Sequence, residues 1–175
     1  MPTRRFSALS VLCKGIILLS ALVNRACCGL LICASATMIA VVVLQVVCRY
    51  LFNNSLFWSE EAARYIMVWI SMLGASIGIR RKGHIGVEAV VMLLPAWLQR
   101  AASVVTTLIA SGFFAGMIFF GFKICQVVAR QESPAMEISM AVPYSALLVG
   151  GALMLLYSLE EFFNLIAARE GGGKA

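Results

Sequence analysis

The chain has 175 residues, of which 62% are apolar and only 13% charged, with a net charge of +6 and a mean hydropathy of +0.95. Soluble domains carry about 25% charged residues, so this composition excludes a soluble enzyme, a disordered regulator and a free nucleic-acid-binding domain. The basic residues sit between apolar runs, where they anchor a membrane protein, so no nucleic-acid partner is expected. The length holds four membrane spans and no soluble catalytic module, which makes one domain.

Residues 1–25 come first. Arg4 and Arg5 precede an apolar stretch as in a signal peptide, but Lys14 interrupts it and no convincing small-x-small cleavage site follows. Phe6, Leu9, Cys13, Ile16 and Ile17 recur at helical spacing, with Ser7, Ser10 and Lys14 on another side. Two readings follow: an amphipathic helix lying on the membrane, or an uncleaved extension of the first span. The chain is expected to divide into an interfacial segment at 1–25, a four-helix membrane domain at 26–166 and a flexible cytoplasmic tail at 167–175.

A spanning helix needs about 20 mostly apolar residues. Residues 26–48, 101–122 and 138–159 are charge-free runs of that length. Residues 65–79 are too few between Arg64 and Arg80, since 15 residues rise only about 22 Å. The second span is therefore expected to start near Ser59, as N-cap, with Glu60 and Glu61 in the first turn where the helix dipole favours them. The expected spans are 26–48, 59–79, 96–122 and 138–160, with Pro95 opening the third helix. The fold class is all-α integral membrane protein, with interfacial helices at the N-terminus and before the third span.

Basic residues set orientation. Arg4, Arg5, Lys14, Arg25, Arg80, Arg81, Lys82, Arg100, Arg169 and Lys174 share one side; Arg49, Arg64, Lys123 and Arg130 share the other. Ten against four places both termini in the cytoplasm.

Much chemistry is missing from the sequence. There is one histidine, His84, and no aspartate, so a bis-histidine haem or histidine-rich metal site within this chain has no ligands. No acidic residue falls in mid-span, which leaves a proton relay or sodium site nothing to use. The cysteines form no C-x-x-C pair; Cys48 and Cys125 alone lie near outer span ends, where a disulfide is conceivable. No cofactor, metal or catalytic residue is expected.

Residues 45–95 carry the most information. Arg49 and Tyr50 end the first span, Asn53, Asn54 and Ser55 make a turn, and Trp58 is an interfacial anchor. Glu60 and Glu61 are spaced to pair with Arg64 along one helix face, either as a solvated ion pair or as a polar contact to Arg49 or another subunit. Gly74 and Gly78, with Ser71 a turn earlier, form a small-residue face that lets helices approach closely in lipid. Gly112 with Gly116 and Ala146 with Gly150 repeat the pattern, and each face packs either this chain's own helices or a partner. Arg80, Arg81 and Lys82 suit anionic headgroups at the cytoplasmic end of the second span, and His84 opens a short interfacial helix as a headgroup-level histidine.

In Arg49–Tyr50, Trp58-x-Glu60–Glu61-x-x-Arg64, Trp69, Gly74–Ala75, Arg80 and His84–Ile85 the chain resembles the small membrane (Q-type) subunit of tripartite ATP-independent periplasmic (TRAP) transporters. Ser133–Pro134–Ala135 and Pro143 extend the likeness towards Glu161. The resemblance implies a small scaffold subunit beside a large, sodium-coupled, elevator-type membrane subunit, which imports organic acids delivered by a periplasmic binding protein. It also implies the bacterial inner membrane as location. Two rivals need features the sequence lacks: a quinone-linked thiol oxidoreductase needs paired reactive cysteines, and a stand-alone homodimeric transporter needs a mid-membrane carboxylate.

Overall fold

The computed structural model describes residues 3–54, 56–81 and 95–171. They form four helices: α1 Thr3–Leu51, α2 Phe57–Arg80, α3 Ala96–Val128 and α4 Ala141–Gly171. All four contain segments long and apolar enough to cross a bilayer: Leu18–Leu51, Phe57–Arg80, Ala101–Val128 and Ala141–Phe162. The chain is an all-α multi-pass membrane protein, as its composition requires.

The N-terminal segment is helical but not a separate element. From Thr3 it runs unbroken into the first span, because neither Lys14 nor Asn24 brings the proline or paired turn residues that end a helix. The expected boundary at residue 25 therefore has no structural break. The C-terminal boundary shifts likewise: α4 continues to Gly171, so residues 167–171 are helix and not a loose tail.

Between α1 and α2 the chain turns at Asn53, whose φ of 50° is left-handed. The Asn54 N–H reaches back to the Cys48 carbonyl at 3.1 Å, which ties the turn to the last turns of α1. Helix α2 begins two residues before the expected start. Leu56 holds the N-cap position, and Ser59 is fully buried inside the first turn, its hydroxyl donating to the Leu56 carbonyl at 2.7 Å. Ser59 is thus a donor within the helix and not its cap. Glu60 does lie in the first turn. Pro95 sits one place outside α3, its carbonyl accepting from the Leu98 and Gln99 amides.

Residues 129–140 fold into a compact turn between α3 and α4. The Ser133 amide donates to the Ile138 carbonyl at 2.9 Å, the Met140 amide to Gln131 at 2.9 Å, and Glu137 adopts φ 53°. This turn uses residues 138–140, so α4 starts at Ala141 and Pro143 falls in its first turn, where no intrahelical amide bond is lost.

The helices do not form a symmetric bundle. Helices α1, α2 and α4 touch one another, whereas α3 packs on α4 alone; no described Cα of α1 or α2 lies within 8 Å of α3. The buried apolar centre is small: Cys27, Leu73 and Ile77, flanked by Val23, Cys28, Leu31 and Leu153. Close backbone approach occurs at glycines of α4. A Cβ on Gly150 would lie 2.9 Å from Met72 Cβ of α2, and one on Gly151 would lie 3.2–3.3 Å from Ile118 and Met117 of α3.

Candidate functional site

Two polar knots pin the α1–α2–α4 group at opposite ends, and an apolar groove lies between them. At the first end Glu61 projects from the first turns of α2 towards the 129–140 turn. Its Oε2 accepts the Ala135 and Met136 amides, each at 2.9 Å, and its Oε1 accepts the Tyr65 hydroxyl at 2.5 Å. Tyr65 Oη also lies 3.3 Å from Met140 Sδ. Two adjacent backbone N–H groups converging on one carboxylate oxygen are a charge-assisted clasp. It holds the turn before α4 against α2. Beside it, Gln45 Nε2 of α1 donates to Glu60 Oε1 at 3.2 Å.

The expected pairing of Glu60 and Glu61 with Arg64 is therefore replaced. Both carboxylates turn to partners on other elements, and Arg64 is exposed. Amide donors in a fixed turn satisfy Glu61 without the entropy cost of ordering a long exposed arginine.

At the second end Arg80 is only 23% exposed in its side chain. Its Nε meets Glu160 Oε2 of α4 at 3.5 Å, its Nη2 meets Ser20 Oγ of α1 at 3.5 Å, and its guanidinium carbon stands 5.6 Å from the centre of the Tyr157 ring. Arg80 was expected at lipid headgroups; its charge is instead turned inward onto two neighbouring helices, α1 and α4. Arg81 is exposed and closes α2 through its amide to the Ile77 carbonyl at 3.1 Å. Lys82, His84 and the interfacial helix expected after them lie outside the described residues.

The groove, about 520 Å³, is lined by residues of α1, α2 and α4 and of the 129–140 turn, Trp69, Tyr65, Leu73 and Met136 among them. Arg49 is exposed in the last turn of α1, and Trp58 is 40% exposed at the start of α2. Ser71 donates to Met67 of its own helix at 2.8 Å. A Cβ at Gly74, Gly78, Gly112 or Gly116 would meet nothing within 4 Å. The reading of these glycines as packing this chain's own helices is corrected: that work is done by Gly150 and Gly151, because α4 is the helix with neighbours on two sides. The Gly74 face is left open.

Cys48 and Cys125 are both free thiols, on α1 and α3, which nowhere approach within 8 Å. A disulfide needs Cα atoms within about 7 Å. Among the described residues no three His, Cys, Asp or Glu side chains gather as a metal site.

Sequence reasoning missed Ser20, Tyr65, Tyr157 and Glu160. A signal for the last was present: Arg80 and Glu160 are opposite charges near the ends of neighbouring spans on the same side. Nothing in the spacing pointed to the backbone amides that Glu61 collects, because they are 74 and 75 residues away.

Four apolar helices held by structural polar contacts define a multi-pass membrane protein. The sequence model described as "Tripartite ATP-independent periplasmic transporters, DctQ component" matches residues 38–168, and the chain belongs to that family. It is 31% identical over 133 residues to the sialic acid TRAP transporter small permease protein SiaQ of Vibrio cholerae, covering 75% of this chain and 76% of that one. It is 33% identical over 144 residues to a putative TRAP transporter small permease protein of Haemophilus influenzae, covering 82% and 89%. The sialic acid TRAP transporter permease protein SiaT of Haemophilus influenzae is 26% identical over 83 residues, which are 47% of this chain but only 14% of that longer one.

Proposed function

We propose that the chain is the fixed scaffold subunit of a sodium-coupled TRAP transporter in the bacterial inner membrane. It supports a large elevator-type subunit that imports organic acids delivered by a periplasmic binding protein. The observation that carries this reading is where the acidic groups go. Glu61 is taken up by two amides and a tyrosine, Glu60 by Gln45, and Glu160 by Arg80. Each serves to hold helices in place. The long relative in which a matching stretch is one part of a larger permease chain supports a large permease as neighbour. The open Gly74 and Gly78 face of α2 is proposed as a place where that neighbour docks, with Trp58, Arg49 and membrane lipids at the rim.

The test is transport by the assembled complex with each of Glu60, Glu61 and Glu160 replaced singly by glutamine. Rate and assembly are expected to fall while the steepness of the sodium dependence stays. Loss of a coupled sodium ion in any one variant would sink the scaffold reading.

A further inference from the structure

On α2 the apolar groove is lined by Ala62, Tyr65, Ile66, Trp69 and Leu73, one stripe at helical spacing. It follows α4 from Val142 to Leu153, and α1 in the opposite sense from Thr37 to Cys27. One end is closed, because Cys27, Leu73 and Leu153 meet there in the buried apolar centre. The other end is lined by Ala62, Met136 and Ile138, beside the Glu61 clasp. Glu61 fixes that end: its Oε2 accepts the Met136 amide at 2.9 Å and its Oε1 accepts the Tyr65 hydroxyl. Leu30, Val142 and Val149 on the walls are exposed, so the groove opens sideways from the protein.

The eleven residues from Ala62 to Leu73 rise about 16 Å. A hydrocarbon core of about 30 Å gives each leaflet about 15 Å. A groove one leaflet long and closed at one end fits an acyl chain entering from one surface. A spanning helix would need a track open at both ends. Water finds little to bind: the Thr37 hydroxyl donates to the Cys33 carbonyl at 2.9 Å, and the Tyr65 hydroxyl is taken by Glu61.

Arg64 stands at the open end, next to Tyr65 in the chain, and its charge acts on the Tyr65 hydroxyl. It is exposed and, among the described residues, has no ion-pair partner, since Glu60 and Glu61 have turned to Gln45 and to the 129–140 turn. A guanidinium left without a carboxylate suits a phosphate, which its forked donors match.

We propose that the α1–α2–α4 groove binds one anionic phospholipid, with an acyl chain along Trp69 and the phosphate on Arg64. The bilayer leaflet at the Glu61 end supplies it, and the Glu61 clasp, by fixing Tyr65 and Met136, shapes the end at which it enters.

Trp69 lines the groove, so the full-length chain with Trp58→Phe and Trp97→Phe carries a single fluorescent reporter inside the site. The chain is placed in phosphatidylcholine vesicles containing a minor fraction of lipid brominated along its acyl chains, which quenches an indole on contact. Brominated phosphatidylglycerol is expected to occupy the site about fivefold more than the same fraction of brominated phosphatidylcholine, the preference one arginine provides at low salt. Arg64→Gln, at an exposed position, should make the two lipids equal, and Ala34→Phe, which fills the groove, should reduce quenching by both. Equal quenching by the two lipids in the chain with Arg64 intact would show ordinary surrounding lipid, and no quenching by either would show Trp69 covered by protein; each overturns the proposal, as does a preference that survives Arg64→Gln. In the assembled complex in its own membrane, a benzophenone amino acid at Val149 is expected to crosslink to phospholipid. A crosslink to the large permease or to a second copy of this chain would overturn the site.

Discussion

Glu61 joins two parts of the chain through one carboxylate, so its removal should be felt at the atoms it binds. Glu61→Ala frees the Ala135 and Met136 amides, and their hydrogen exchange is expected to become fast while α2 itself keeps its protection. Glu61→Gln retains one acceptor oxygen that reaches both amides, so exchange there should rise much less. Equal protection in all three proteins would show that the turn holds itself. Glycines divide by what faces them. Gly150→Ala puts a carbon 2.9 Å from Met72 Cβ, an atom too close to its own backbone to swing aside, and overpacking of this kind costs about 1–3 kcal/mol. Gly74→Ala meets open space and should leave the denaturant midpoint of the isolated chain unchanged. Gly74→Leu extends the contrast: the isolated chain should again be unaffected, while the yield of complex with the large permease falls more than with Ala40→Leu. Full yield for Gly74→Leu would place that face against lipid.

At the scale of the helices, the separation of α1 from α3 makes a firm statement about Cys48 and Cys125. Thiol labelling of the denatured protein should give the same count before and after reduction; a higher count after reduction would mean that the helices meet. Helix number and approximate span positions were legible in the sequence, because a charge-free run of 20 residues has few other fates. The second span was legible for a different reason: too short as an apolar run, it required Glu60 and Glu61 inside the helix, and both are there. What stayed hidden was which helix touches which. A glycine pair has the same spacing whether it meets a helix, a partner or lipid, so Gly74 and Gly150 looked alike. Arg80 was hidden similarly: a basic residue at a span end suits headgroups by charge, but its direction depends on whether a neighbour offers Glu160. The extension of α1 back to Thr3 was one of two open readings, since amphipathic spacing alone says nothing about continuity with the next helix.

For the whole molecule, the ten-to-four division of basic residues is the ground on which we propose an orientation with both termini in the cytoplasm. In that proposed orientation the Arg80 knot is near the cytoplasmic face and the Glu61 clasp near the periplasmic one. A reporter active only in the cytoplasm should work when fused at Ala175 and stay silent when placed between Arg130 and Pro134; the reverse pattern would invert the molecule and exchange the roles of its two ends. The attachment of α3 to α4 alone also has a bearing on biosynthesis. As the chain leaves the ribosome, α1 and α2 can pair at once, but α3 enters the bilayer before α4, the one described helix it packs against, has been made. Until α4 arrives, the α3 faces carrying Phe114, Met117 and Ile118 are offered to lipid, to an insertion chaperone or to a foreign helix. A chain truncated after residue 130 and held on the ribosome by a flexible linker long enough to clear the exit tunnel should therefore crosslink from Phe114 to insertion machinery, and extending the sequence before that linker to residue 171 should abolish the crosslink as α4 takes its place.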